Sequence, residues 1–381
     1  MSWKKVCVKD VVLGIFDGPH ATPPESDSGA IFLGIPNFVN GQLDLSEIRY
    51  ISEDDLPKWT KRVTPQENDI VFSYEATLNL YAIIPKGFRG CLGRRMALIR
   101  PDTTKINYKF LYYYFYSKAW RDVIAENIVL GATVDRIPLV KFPDFQIELP
   151  DMRVQNKIAD ILSTYDRLIE NNQKQIKLLE EAAQRLYKEW FVDLRFPGHK
   201  NTPITDGVPQ GWKKVSLGDI APILTGKKDA NFGTKDGAYP FFTCSQEPIK
   251  APEYSFDTNA VILAGNGDFN VKLYRGKFEA YQRTYVLSPA EEKHLYLLYN
   301  AVNESMSVLV KGASGSTIKF LTKGMIESIP LFIPTNELLA QYNSCSEAVQ
   351  QKIECLKSII VNASEARDRL LSKLMNGEIE V

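Results

Sequence analysis

Most signatures of a particular chemistry are missing from this sequence. No run of eighteen apolar residues occurs, so no membrane span is expected, and the opening Met1-Ser-Trp-Lys-Lys lacks the apolar stretch of a secretory leader. Five cysteines, Cys7, Cys91, Cys244, Cys345 and Cys355, are scattered without a C-x-x-C pair. That excludes an obvious disulfide framework or zinc site and fits a reducing, cytoplasmic setting. His20, His199 and His294 are too far apart in sequence to suggest a metal cluster or a triad. A methyltransferase acting on base amino groups would carry a [DN]-P-P-[FYW] tetrapeptide and a glycine-rich cofactor loop, and neither is present. Gly265-Asn-Gly-Asp-Phe-Asn has asparagine in place of the third glycine of a dinucleotide fingerprint. Thr225-Gly226-Lys227 lacks the earlier glycine a P-loop needs. Pro143-Asp144 with Glu148 begins like a metal-dependent nuclease centre, but Leu149-Pro150 follow where a lysine belongs. No catalytic residue, metal ligand or bound cofactor is assigned, and a binder or assembler is favoured over an enzyme.

Charge of one sign is also missing, since 46 basic and 46 acidic residues cancel. Zero net charge argues weakly against whole-surface binding of nucleic acid. The local distribution is more informative. Lys86, Arg89, Arg94, Arg95 and Arg100 fall between Glu75 and Asp102 with no acid among them, and Lys311, Lys319 and Lys323 lie in another acid-free window between Glu304 and Glu327. Such windows in both halves tilt the reading toward a polyanion.

What is present is a duplication. Val154, Ile158, Ile161, Tyr165, Ile169, Ile176, Leu179, Leu186 and Trp190 recur at helical spacing. Moved on by 184 residues, the row becomes Leu338, Tyr342, Cys345, Val349, Ile353, Ile360, Ala363, Leu370 and Leu374, with Leu356 standing where Asn172 stood. Each forty-residue helix would be roughly 60 Å long, more than a small domain can cover. Pairing as an antiparallel coiled coil is the simplest way to bury both seams, the other being that each helix packs on its own neighbouring domain. Trp3-Lys-Lys-Val6 returns unchanged as Trp212-Lys-Lys-Val215, 209 residues on. Asp69-Ile-Val-Phe-Ser73 is answered by Ala260-Val-Ile-Leu-Ala264, Arg94–Pro101 by Gln282–Pro289, Leu111–Phe115 by Leu295–Tyr299, and Gly131-Ala-Thr133 by Gly315-Ser-Thr317. Because the offset falls from 209 to 184, the first globular part carries 25 extra residues, most of them expected before Arg95, around Asp17–Ser28 and Asn37–Trp59. Asp151 and Thr335, each directly after a proline, are expected N-caps.

The organisation is therefore α+β, with two mixed α/β domains, 1–150 and 211–334, alternating with long helices over 151–196 and 335–381, and a linker at 197–210. The expected seam is Ile158, Ile161, Tyr165, Ile169, Ile176, Leu179 and Leu186 against Tyr342, Val349, Ile353, Leu356, Ile360 and Leu370. If the partner is DNA, phosphate and base contacts need Lys, Arg, Gln and Ser. The candidates are Lys86, Arg89, Arg94 and Arg95 in the first domain, and Lys227, Lys228, Lys272, Arg275, Gln282, Arg283, Lys311, Ser314, Ser316 and Lys319 in the second. Arg95 and Arg283 hold equivalent places and could serve the shared frame, whereas Lys227 and Lys228 differ between copies and suit specificity better. A coiled-coil scaffold for proteins, without DNA recognition, and an enzyme with an unrecognised site remain open on these residues.

The lead-ins Ile147-Glu-Leu-Pro150 and Ile329-Pro-Leu-Phe-Ile-Pro334, the helix text Asn156-Lys-Ile-Ala-Asp-Ile-Leu162 with Tyr165-Asp166, and the ending Leu370–Val381 resemble the DNA-specificity subunit of type I restriction-modification enzymes. Asn336-Glu337 departs from the Glu-Gln pair usual at the second helix start. The resemblance implies two target-recognition domains with a pseudo-twofold internal repeat and no activity of the chain's own. It implies a bipartite double-stranded DNA target and two docked methyltransferase subunits that use S-adenosylmethionine on adenine. A motor and nuclease subunit would complete the restriction complex, with the helices setting the gap between half-sites.

Overall fold

The computed structural model describes residues 3–131, 134–315 and 319–381. It divides into two compact units, Met1–Asn171 with Ile359–Val381, and Asn172–Ser358.

In the first unit, β1 (Lys4–Cys7) pairs antiparallel with β9 (Gln146–Leu149), Lys4 opposite Leu149. A four-stranded sheet runs in the order β2 (Val12–Asp17), β8 (Met96–Pro101), β5 (Ile70–Ser73), β6 (Tyr81–Ile83). A three-stranded sheet runs β4 (Arg49–Ile51), β3 (Ala30–Leu33), β7 (Gly90–Leu92). Helices α1 (Tyr108–Tyr114) and α2 (Lys118–Asn127) are opened by Asn107 and Ser117, whose side chains accept backbone N–H bonds. Their rings, with Phe72, Tyr81, Phe142 and the helix residues Ile158, Ala159 and Leu162, form one apolar core.

In the second unit, β10 (Lys213–Ser216) pairs with β17 (Pro330–Ile333), Lys213 opposite Ile333. One six-stranded sheet runs β11 (Ile223–Thr225), β16 (Thr284–Leu287), β14 (Phe256–Ala264), β15 (Val271–Ala280), β12 (Tyr239–Phe242), β13 (Ile249–Ala251). This is the order of the first unit, with the ten-residue β15 in place of β6 and β7. Pro85, Lys86 and Gly87 break that path in the first copy, and proline cannot donate to a ladder.

The registers show where the extra residues lie. Phe32 faces Cys91 and Phe241 faces Glu279, so the offset is still 209 at β3 and β12. It falls to 200 at β4 and β13, where Arg49 and Ile249 face Phe32 and Phe241, and to 191 at β5 and β14, where Ile70 faces Ile99 and Val261 faces Leu287. Eighteen of the 25 additions (209 − 191) therefore sit between residues 33 and 70, and the other seven follow before Leu111, where the offset reaches 184. Asp17–Ser28, expected to hold some of them, holds none: the offset is 208 at Asp17 and 209 at Phe32, so this loop is one residue shorter than its counterpart.

The long helices α3 (Met152–Tyr187) and α5 (Asn336–Met375) contain no glycine or proline. Asp151 Oδ1 accepts from Val154 N at 2.9 Å and Thr335 Oγ1 from Leu338 N at 3.5 Å, as expected of the caps. Both units hold a piece of each helix, running antiparallel. In the first, Ile158, Ala159 and Leu162 share a core with Leu374 and Met375, and Arg367 donates to Asp166 Oδ1 at 2.7 Å. In the second, Tyr187 and Phe191 pack with Leu339 and Tyr342, the Phe191 and Tyr342 rings 4.8 Å apart. Of the expected seam, Ile158, Ile169, Tyr342, Ile353 and Leu356 are buried, while Ile161, Tyr165, Ile176, Leu179, Leu186, Val349, Ile360 and Leu370 are half-buried. Cys345 is exposed, so the apolar row errs there, and the place beside it on the buried face is taken by Ser346. Gln155, Ala159, Leu162, Ser163 and Asn172 complete the buried face of α3.

Candidate nucleic-acid interface

The loops at one end of the second sheet are tied together through the backbone. Gly226 N donates to Thr284 O, Gln282 N to Lys228 O at 3.0 Å, Gly265 N to Arg283 O at 2.8 Å, and Leu321 N to Gly265 O at 2.8 Å; Ser314 and Phe320 exchange two bonds. The first unit repeats the pattern, with Gly18 N donating to Met96 O, Tyr74 N to Arg95 O, Ile137 N to Tyr74 O, and Val129 and Arg136 exchanging two bonds. Gly18 and Gly226 are needed for close approach, since a Cβ there would sit 2.6 Å from Gly93 O and 1.9 Å from Ala280 O. On this common frame Pro19 and His20 of one copy stand where the other has Lys227 and Lys228. Arg94 stands where the other has Gln282, and Arg95 where it has Arg283.

The structure thus gathers Lys227, Lys228, Gln282, Arg283, Ser314 and Lys319 at one sheet end, with Lys272 anchored beside them by a bond to Ser245 O at 2.8 Å. Burial pulls the Lys272 ammonium below its usual range. Arg94 and Arg95 occupy the matching end of the first sheet. Lys86 and Arg89 lie beyond the opposite end of β7, and Arg89 is held by Glu53, which raises its pKa. Arg275 is drawn to the helix: its Nη2 lies 2.9 Å from Glu347 and 2.7 Å from the Tyr296 hydroxyl. Arg275 first, then Tyr296, holds the Glu347 carboxyl down to about 2. Lys311 is exposed in the last turn of α4 (Leu295–Gly312). Ser316 lies outside the described residues, as does most of the Gly131 and Gly315 match.

Partners separate the remaining cations. Lys228 reaches Glu253 at 2.5 Å and stands 4.2 Å from the centre of the Phe232 ring. Among the described residues Lys227, Arg283, Lys319 and Arg94 are exposed with no ion pair, which leaves them available for phosphates. Beside them opens a cleft of about 490 Å³ lined by Gly265, Gln282, Arg283, Tyr285, Phe320, Leu321, Thr322 and Lys323. Of these, Lys323 lies in the second acid-free window of the sequence yet is absent from the candidates above. Asp229, which accepts from Gln282 Nε2 at 2.8 Å, gave no signal because the two are 53 positions apart. No group of three or more His, Cys, Asp or Glu among the described residues could hold a metal ion, and no described helix is long and apolar enough to cross a membrane.

The model of the type I restriction modification DNA specificity domain matches residues 2–181 and again 209–357. The chain belongs to this family. The double match follows the internal repeat. The type I restriction enzyme EcoDI specificity subunit of Escherichia coli is 38% identical over 183 residues, 45% of this chain and 39% of that relative's length. The MjaIX specificity subunit of Methanocaldococcus jannaschii is 25% identical over 361 residues, covering 87% of this chain and 82% of the relative. In fold, this specificity chain is similar to the crystal structure of a type I restriction-modification S subunit from M. genitalium, with a TM-score of 0.59 and 16% identity over 98% of this chain and 96% of that one.

Proposed function

We propose that this specificity-family chain reads a bipartite double-stranded DNA target, one half-site per globular domain, and leaves the chemistry to other subunits. The supporting observation is a backbone frame largely repeated between the two units, with Gly18 N to Met96 O answered by Gly226 N to Thr284 O and Tyr74 N to Arg95 O by Gly265 N to Arg283 O, whose loop ends carry mostly different side chains. Like frames suit like docking, and unlike ends suit unlike sequences. Free cations at those ends would supply phosphate contacts and the salt dependence that goes with them. Two methyltransferase subunits dock on equivalent surfaces of the repeat and methylate adenine from S-adenosylmethionine, which they and not this chain bind. A restriction subunit with motor activity joins to complete the complex. Helices α3 and α5 act as the spacer between readers, as dimer geometry sets half-site spacing in other DNA-binding proteins.

Genome-wide detection of methylated adenine in a host carrying the chain with its methyltransferase tests this. A motif of two unlike half-sites around a fixed gap is expected. A single contiguous motif, or none, would contradict it.

A further inference from the structure

Gln282 and Arg94 occupy the same place in the two copies, at the turn entering β16 and β8, and both are exposed. Their settings differ. Gln282 Nε2 lies 2.8 Å from Asp229 Oδ1. A carboxylate only accepts, so the amide nitrogen must face Asp229 and the amide oxygen must face away. One N–H remains free beside that oxygen. An acceptor and a donor side by side, held in one orientation on the rim of a cleft, match the N6–H and N7 of adenine in the major groove. Arg94 has no ion pair among the described residues, and its fork of donors matches O6 and N7 of guanine.

Resting on the DNA reading above, we propose that Gln282, with Asp229 as its positioning residue, selects an adenine in the second half-site, and that Arg94 selects a guanine at the corresponding place in the first. The neighbouring Arg283 and Arg95 then serve phosphate and frame rather than base identity. Fixing the amide in advance lowers the entropy lost on contact, and a buffer of loosely held side chains would not discriminate as well.

The test is methylation mapping with the complete complex carrying Gln282→Ala, Gln282→Arg, Arg94→Gln, Asp229→Ala or Asp229→Asn. Gln282→Ala should weaken the preference for adenine at one position of one half-site by roughly tenfold to a hundredfold, leaving the other half-site unchanged. Gln282→Arg should move that preference toward guanine, and Arg94→Gln should move one position of the other half-site from guanine toward adenine. Asp229→Ala should resemble Gln282→Ala, while Asp229→Asn, which keeps an acceptor oxygen, should restore the preference. If Gln282→Arg abolishes methylation, Gln282→Ala decides. An unchanged preference at every position in Gln282→Ala would overturn the assignment, whereas absence of any bipartite motif in the unaltered complex would instead remove the reading on which it rests.

Discussion

The two domains are the same frame finished differently, and the places where they differ are of two kinds. Inside, volume is conserved while identity moves. Tyr74 and Ala97 in the first copy correspond to Gly265 and Tyr285 in the second, so an aromatic ring passes from one strand to its neighbour. A Cβ on Gly265 would come within 2.4 Å of Arg283 O and 2.9 Å of the Tyr285 ring, so the second copy's ring sits beside a glycine. At the loop ends Gly18 and Gly226, Arg95 and Arg283 and several backbone bonds are kept, while most other side chains change. A packed interior tolerates only compensated exchange, whereas an exposed loop tied by its backbone can change side chains freely.

The comparison breaks first where the cores differ most. Trp212 is buried among Phe191, Phe196 and Phe332, while its counterpart Trp3 is half-buried and, among the described residues, has one ring contact, to Phe110. Trp212→Ala should cost about 3–5 kcal/mol in denaturant unfolding. Trp3→Ala should cost clearly less. Equal losses would mean that the covering of the two tryptophans does not matter.

If the frames are the same, they fail in the same way. Gly18→Ala and Gly226→Ala should each destabilise by about 1–3 kcal/mol from forced displacement of a facing carbonyl, with the larger loss at Gly226. A neutral result at either position would show that its loop approaches less closely than its copy.

Acid should separate the units further. Burial holds the His294 pKa below its usual value, and the equivalent place in the first copy is Phe110. A depressed folded pKa means the folded state resists protonation, so stability is full above the ordinary histidine range near 6.5 and falls as pH drops below it. His294→Phe should remove that loss in melting curves taken between about pH 7 and 5.5. Glu347 acts lower: its contribution is present above the ordinary carboxylate value of 4.5 and is lost as pH falls toward 2. Glu347→Gln should flatten this second window.

The smallest effect distinguishes neighbours. Lys227→Ala should lower the salt dependence of DNA binding by about one unit of slope and weaken only one half-site, while Lys228→Ala, whose ammonium is already held by Glu253, should do less. Equal effects at both half-sites would count against assigning these lysines to one reader.

Much of this frame could be read from the sequence because register is stiff. The Trp-Lys-Lys-Val repeat and the strand pairs kept their offsets, since slipping one residue would turn every core side chain outward. Asp17–Ser28 reads as an insertion because a loop of nearly matched length and unrelated composition looks like one in a single chain. The helix seam was incomplete for a different reason: Gln155 is buried yet satisfied, accepting from Asn107 N and donating to Pro150 O, so polarity hid its place. Availability of the cations was not legible at all. Arg275 and Glu347 are 72 positions apart, Arg89 and Glu53 36, and only folding brings them together.

The spacer role of α3 and α5 is tested most directly by lengthening both helices equally, by about seven residues or roughly 10 Å each, and mapping methylated adenines with the partner subunits present. The account predicts the same two half-sites separated by a longer gap, by about three base pairs. Altered half-sites at an unchanged gap would contradict it.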